Sequence, residues 1–173
     1  GRGNGMTEIW SGEYWAKKGD VTLYMFRKRL GAPAPGEAAR PILFLVHGSS
    51  FGTQAGFDLT VKGQDYSMMN WFARLGFDVW GLDHEGYSRS SRTEGNSDIA
   101  SGVEDLRAGM EVVERETRLA QYLFYGQSSG ALRTAALAQA CPERVDRVVL
   151  DAFVWTGKDA PTLIKRRENL AYF

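Results

Sequence analysis

Tyr122-Leu-Phe-Tyr125 is an apolar run, Gly126-Gln-Ser-Ser-Gly130 is a tight turn, and Ala131 to Ala140 is an alanine-rich stretch. G-x-S-x-G between a strand and a helix is the pattern of a nucleophile elbow. Its central residue sits in a strained backbone conformation, and a Cβ at either glycine would crowd the strand or the helix it packs against. The turn therefore pushes Ser128 Oγ out at the carboxyl edge of a sheet, with a helix N-terminus behind it. A chain built around such a turn must supply a strand before it and a helix after it.

With 173 residues, the chain is long enough for one domain with a sizeable core. Its 21 basic and 21 acidic residues balance, which points away from nucleic acid and anionic membranes as partners. No apolar run approaches the roughly 20 residues of a membrane span. The single Cys141 excludes an internal disulfide framework. Gly1-Arg-Gly-Asn-Gly5 reads as an expression scar ahead of a native start at Met6. No basic-then-apolar leader follows Met6, so the expected location is cytoplasmic. There is no metal-ligand cluster, GxGxxG or P-loop in the sequence, so no cofactor is implied.

Taken in order, Glu8–Ala16 and Val21–Leu30 predict a hairpin of two half-exposed strands around a Gly19-Asp20 turn. Residues 31–40 are a loop by their Pro and Gly content. Pro41–Val46 is continuously apolar, as a strand buried on both faces would be. A long polar loop leads from His47-Gly48 to a helix over Tyr66–Leu75, stopped by Gly76. Phe77–Leu82 is the next strand. Asn96 or Ser97 caps a helix over Ile99–Arg118, with Val103, Leu106, Met110 and Val113 on one face. After the elbow and its helix, Arg147–Phe153 is another buried strand, and Pro161 opens a last helix from Thr162 to about Leu170. Strands and helices in this order predict an α/β fold with a mostly parallel sheet and flanking helices. Trp71, Phe72 and Trp80 are expected in the core, and Lys165-Arg-Arg167 on a solvated helix face.

Four marks fall in one order: His47-Gly48 after the third strand, Asp83-x-x-Gly86-x-Ser88 after the fourth, the Ser128 elbow after the fifth, and Cys141-Pro-Glu-Arg-Val145 leading into the sixth. Together they make the chain resemble the serine-nucleophile branch of the α/β-hydrolase family. The resemblance implies an α/β-hydrolase core over residues 6–160, incomplete at the C-terminal side, with 161–173 beginning a cap. It implies that Ser128 is the nucleophile and that backbone N–H groups of Ser129 and Ser49 form the oxyanion hole, with Ser50 the alternative to Ser49. His47 would brace the oxyanion loop, His84 would be a rim or turn residue, and Asp83 and Ser88 would fix the turn around it. Asp151, at the end of the sixth strand, would sit one residue early for a catalytic acid. Phe51 and Phe153 flank the expected pocket as substrate-binding candidates.

One requirement goes unmet. A serine hydrolase needs a base, ordinarily histidine, oriented by a carboxylate, and the family order places that histidine after the nucleophile. This chain has no histidine after Ser128. The expected arrangement is therefore part of an esterase-like hydrolase of esters, lactones or similar acyl bonds, with acid and histidine supplied by a missing C-terminal part or a partner chain. C–C or amide hydrolysis on the same serine, and a non-catalytic ligand-binding protein, are the alternatives.

Overall fold

In the computed structural model, which describes residues 8–47, 60–61, 64–65, 68–84, 99–127 and 129–151, six strands form one sheet. β1 (Ile9–Lys18) and β2 (Val21–Leu30) are the antiparallel hairpin. It turns at Gly19, whose φ of 59° lies in the left-handed region that glycine enters without strain. β3 (Ile42–Val46) and β6 (Asp78–Leu82) are buried along their full length. β7 (Tyr122–Gln127) leads into the elbow and β8 (Val145–Asp151) follows a 3₁₀ turn at Pro142–Arg144. The order is β1-β2-β6-β3-β7-β8, with β6, β3, β7 and β8 mutually parallel. A short hairpin, β4 (Thr60–Val61) with β5 (Gln64–Asp65), stands apart from this sheet, inside a segment whose composition predicted only loop.

Helix α1 (Met68–Arg74) covers one face of the sheet, packing Met69 and Ala73 against Leu43, Leu45 and Val79. Its end follows from Gly76 at φ 99°. Gly76 N–H reaches Ala73 C=O at 3.0 Å and Phe77 N–H reaches Phe72 C=O at 3.1 Å, the paired bonds of a Schellman stop. The rings of Phe72 and Phe77 meet edge to face at 5.8 Å and supply the hydrophobic contact that accompanies it. Trp71 is not in the core as expected. It is 64% exposed, because a two-turn helix turns only one stripe to the sheet.

The opposite face is covered by α2 (Ile99–Thr117) and α3 (Ser129–Ala140). Val103, Leu106, Met110 and Val113 all point inward from α2, as their spacing predicted, and meet Phe44, Val46, Trp80 and Leu82. With a helix on each face, β2 is buried from Leu23 to Arg27. The expectation of a half-exposed second strand is corrected: β2 lies between β1 and β6 rather than at the edge. β8 begins at Val145, two residues before the predicted onset. Among the described residues no helix is long and apolar enough to cross a membrane. The candidate helix over Thr162–Leu170, and the expected Asn96 or Ser97 cap, lie outside the described residues.

Candidate active site

The sheet's connections diverge at β3 and β7. β3 connects through α1 on one face to β6 on one side, while β7 connects through α3 on the other face to β8 on the other side. In an open parallel sheet, the crevice where such connections part, at the carboxyl ends of the strands, is the ligand site. Here the two strand ends are His47 and Gln127. Val46 is level with both Leu82 and Gly126, so the ends of β6, β3 and β7 form one ledge.

Beside this ledge the elbow glycines have no room for a side chain. A Cβ on Gly126 would stand 2.5 Å from Thr134 Oγ1 and 2.6 Å from the Gly130 carbonyl oxygen. On Gly130 it would collide with the carbonyl oxygen of Val46 and lie 2.5 Å from that of His47. Real Cβ atoms do not approach backbone this closely, so both glycines are required by packing, as the elbow pattern predicted. Thr134 Oγ1 donates to Gly130 C=O at 2.8 Å and secures the first turn of α3. Gly130→Ala is expected to lower stability by about 1–3 kcal/mol, because α3 and the end of β3 must part. Urea unfolding would check this, and an alanine variant matching wild type would refute it.

Ser128 itself lies outside the described residues, as do Ser49, Ser50, Phe51, Ser88 and Phe153. Ser129 opens α3, where its N–H is one of the first four, which have no partner within the helix. Asp151 ends β8 opposite Gln127. Asp83 holds the end of β6 to β2 through its N–H, which donates to Tyr24 C=O at 2.9 Å.

Both histidines are in the interior. His47 Nε2 accepts from the His84 main-chain N–H at 3.3 Å, and the two rings lie 5.0 Å apart. The His47 carbonyl accepts from Arg133 Nη1 at 3.4 Å. His47 is therefore a brace, tying β3 to β6 and to the elbow helix. His84 is not a rim residue: it is fully buried, with Nδ1 on Asp105 Oδ2 at 3.1 Å. The polar turn sequence around His84 gave no sign of this, because its partner comes from α2. The Asp105 carboxylate also takes the Lys18 ammonium at 2.6 Å. His84 and Asp105 have the chemical make-up of a base and its orienting acid, but they are sealed against α2.

Burial is the main cause holding the His84 imidazole below its ordinary pKa; Arg133 pushes the same way, against the Asp105 hydrogen bond and the charges of Asp105 and Asp83. The native state thus resists a proton that the unfolded chain accepts near pH 6.5. Stability contributed by neutral His84 is complete above that pH and is lost as pH falls from there toward the depressed native value. The slope is at most about 1.4 kcal/mol per pH unit. Urea midpoints measured downward from pH 7.5 should fall below pH 6.5 in wild type and fall less in His84→Asn. Equal slopes in the two proteins would refute the assignment.

A cavity of about 630 Å³ lies at the opposite end of the sheet, where β3 and β6 begin, between the 33–40 loop and the end of α2. It is remote from the elbow. Two of the arginines lining it are committed to carboxylates, Arg27 to Asp78 and Arg29 to Glu37. Among the described residues no three His, Cys, Asp or Glu side chains gather as a metal site would require.

A switch-point crevice, an elbow with two glycines that exclude any Cβ, and a histidine-braced strand end define an α/β-hydrolase core. The family model described as "Serine aminopeptidase, S33" matches residues 55–169, more than half of the chain, and the chain belongs to that branch of the α/β-hydrolases. Its fold is shared with a predicted CIB-like hydrolase from Thermoplasma acidophilum, at 17% identity and TM-score 0.62, covering 92% of this chain and 70% of that one. It is shared also with 2-hydroxy-6-oxo-6-phenylhexa-2,4-dienoate hydrolase from Rhodococcus sp. strain RHA1, at 18% identity and TM-score 0.60, covering 83% and 46%. Est816, an N-acyl homoserine lactone degrading enzyme, matches at 19% identity and TM-score 0.60, covering 79% and 44%. The chain thus spans less than half the length of the last two. No curated protein sequence matches it significantly.

Proposed function

We propose that this chain carries the nucleophile and oxyanion hole of a serine hydrolase acting on an ester, lactone or similar acyl bond. The observation that carries the reading is the close approach at Gly126 and Gly130. Glycines confined this tightly on either side of Gln127, Ser128 and Ser129 are what an elbow presenting a serine hydroxyl requires. Ser128 Oγ would attack the acyl carbon, its proton passing to a base. The N–H groups of Ser129 and Ser49 would hold the oxyanion. Collapse would expel the alcohol, which takes up that proton, and water would then release the acid from the acyl-enzyme by the same route. The lactone-degrading activity named for Est816 is consistent with this bond class.

The base and its carboxylate are proposed to come from polypeptide outside these 173 residues, either a continuation or a second chain. The supporting observation is that both histidines of the chain already have structural bonds, His47 to the His84 N–H and His84 to Asp105. The same observation favours a second reading, a ligand-binding protein that keeps the pocket without turnover. A fluorophosphonate probe separates the two. The hydrolase assembled with its remaining polypeptide should gain one adduct on the peptide containing Ser128. A folded, assembled sample that takes no adduct supports the binder. C–C and amide bonds remain chemistries for the same serine, to be separated by substrate screening of the labelled enzyme.

A further inference from the structure

The buried polar network beside the elbow runs through three elements before it reaches the end of β3. Lys18, the last residue of β1, reaches across to α2, with Nζ 3.1 Å from Ser101 Oγ and 2.6 Å from Asp105 Oδ1. Asp105 Oδ2 takes Nδ1 of His84, just past β6. His84 donates its main-chain N–H to Nε2 of His47, just past β3. His47 in turn offers its carbonyl to Arg133 of α3, and the same carbonyl is one of the groups that confine Gly130.

The carboxylate at the centre of this network has no exposed side-chain surface. For stability alone, apolar side chains of similar volume would do as well or better. What the polar chain adds is direction. Two bonds hold the His84 ring and backbone in one orientation, and that orientation presents the N–H on which His47 rests. His47 immediately precedes the segment to which an oxyanion donor is assigned.

We propose that Lys18, Asp105 and His84 are positioning residues that fix His47 and, through it, the departure of the oxyanion segment from β3; the inference rests on the hydrolase reading above. None of the three touches the reacting atoms. The proposal links the N-terminal hairpin, which lies two strands from the elbow strand's neighbour β3, to the geometry of the acyl transition state.

Protonation states follow from the bonds. His47 accepts at Nε2, so its hydrogen is on Nδ1. Neutral His84 donates from Nδ1 to the carboxylate, so its hydrogen is on Nδ1 as well. The chain has only two histidines, and ¹⁵N-histidine NMR of the full chain reads both rings without crowding. Both should show the Nδ1–H tautomer at neutral pH, and Asp105→Ala should move His47 toward a mixture. An Nε2–H tautomer for wild-type His47 overturns the proposal without any variant. In the assembled enzyme, His84→Ala should lower kcat for an acyl ester by about 10- to 100-fold with KM within about twofold. His84→Asn, whose amide nitrogen stands where Nδ1 does, should restore most of it. If alanine leaves kcat unchanged, or asparagine fares no better than alanine, the network only stabilises the fold and the proposal fails. The NMR readout does not depend on turnover. Absence of Ser128 labelling in a sample with both expected tautomers counts against the hydrolase reading, not against the brace.

Discussion

Ser128→Ala is expected to lower turnover of an acyl ester by about 10⁴- to 10⁶-fold and to abolish fluorophosphonate labelling. The size of the loss follows from what alanine removes. Without the hydroxyl there is no acyl-enzyme, and only binding and the oxyanion donors remain to assist direct attack by water. The fold should be indifferent to the change. The elbow glycines are confined by Thr134 and the carbonyls of Gly130, Val46 and His47. Stability by urea unfolding should stay within about 0.5 kcal/mol of wild type. A variant that keeps turnover within tenfold would remove Ser128 from the chemistry and end the hydrolase reading built on it.

The largest stability effect is expected at the opposite end of the sheet from the elbow, where β6 begins. Arg27 on β2 makes a two-pronged bond to Asp78 on β6, at 2.8 and 2.6 Å, and both residues are 2% exposed. Its guanidinium lies 4.6 Å from the Trp80 ring centroid, 5.6 Å from Trp10 and 6.0 Å from Tyr14. Burial works against this charge, yet the Asp78 carboxylate outweighs it and the Arg27 pKa ends above its ordinary value. Asp78→Ala leaves that cation buried among aromatic rings with no counter-charge. The expected loss is about 3–5 kcal/mol, read as a lower urea midpoint at unchanged slope. Removing the charge together with its partner, in Arg27→Met with Asp78→Leu, should recover most of it. A single variant within about 1 kcal/mol of wild type would mean that the pair carries no such weight.

The features legible in the sequence are those whose causes are local. Gly126 and Gly130 bracket Ser128 within five residues, Gly76 stops α1 within one turn, and Val103, Leu106, Met110 and Val113 repeat along a single helix. Features that depend on a distant partner were not legible. His84 looked like a turn residue because Asp105, which draws it inward, is on α2. β2 looked half exposed because its burial depends on β6, which follows α1 in the chain. Trp71 looked like core because its aromatic bulk says nothing about which side of a short helix meets the sheet. The end of α2 was legible without a glycine: the helix expected to run to Arg118 stops at Thr117, and Arg118 itself takes the left-handed conformation, at φ 62°, with its N–H on Glu114 C=O at 2.7 Å.

The position of β3 also determines when the elbow can exist. Phe44 pairs with Trp80 on one side and Phe124 on the other, so the central strand is made long before either neighbour. The hairpin can close on itself early, but every parallel pairing must first close a long loop, and such pairings form slowly. The turn is held against β3 only once β7 docks, because the carbonyls that confine Gly130 belong to Val46 and His47. The packing of the elbow glycines is thus a late product of folding, assembled only once contacts between distant parts of the sequence are complete.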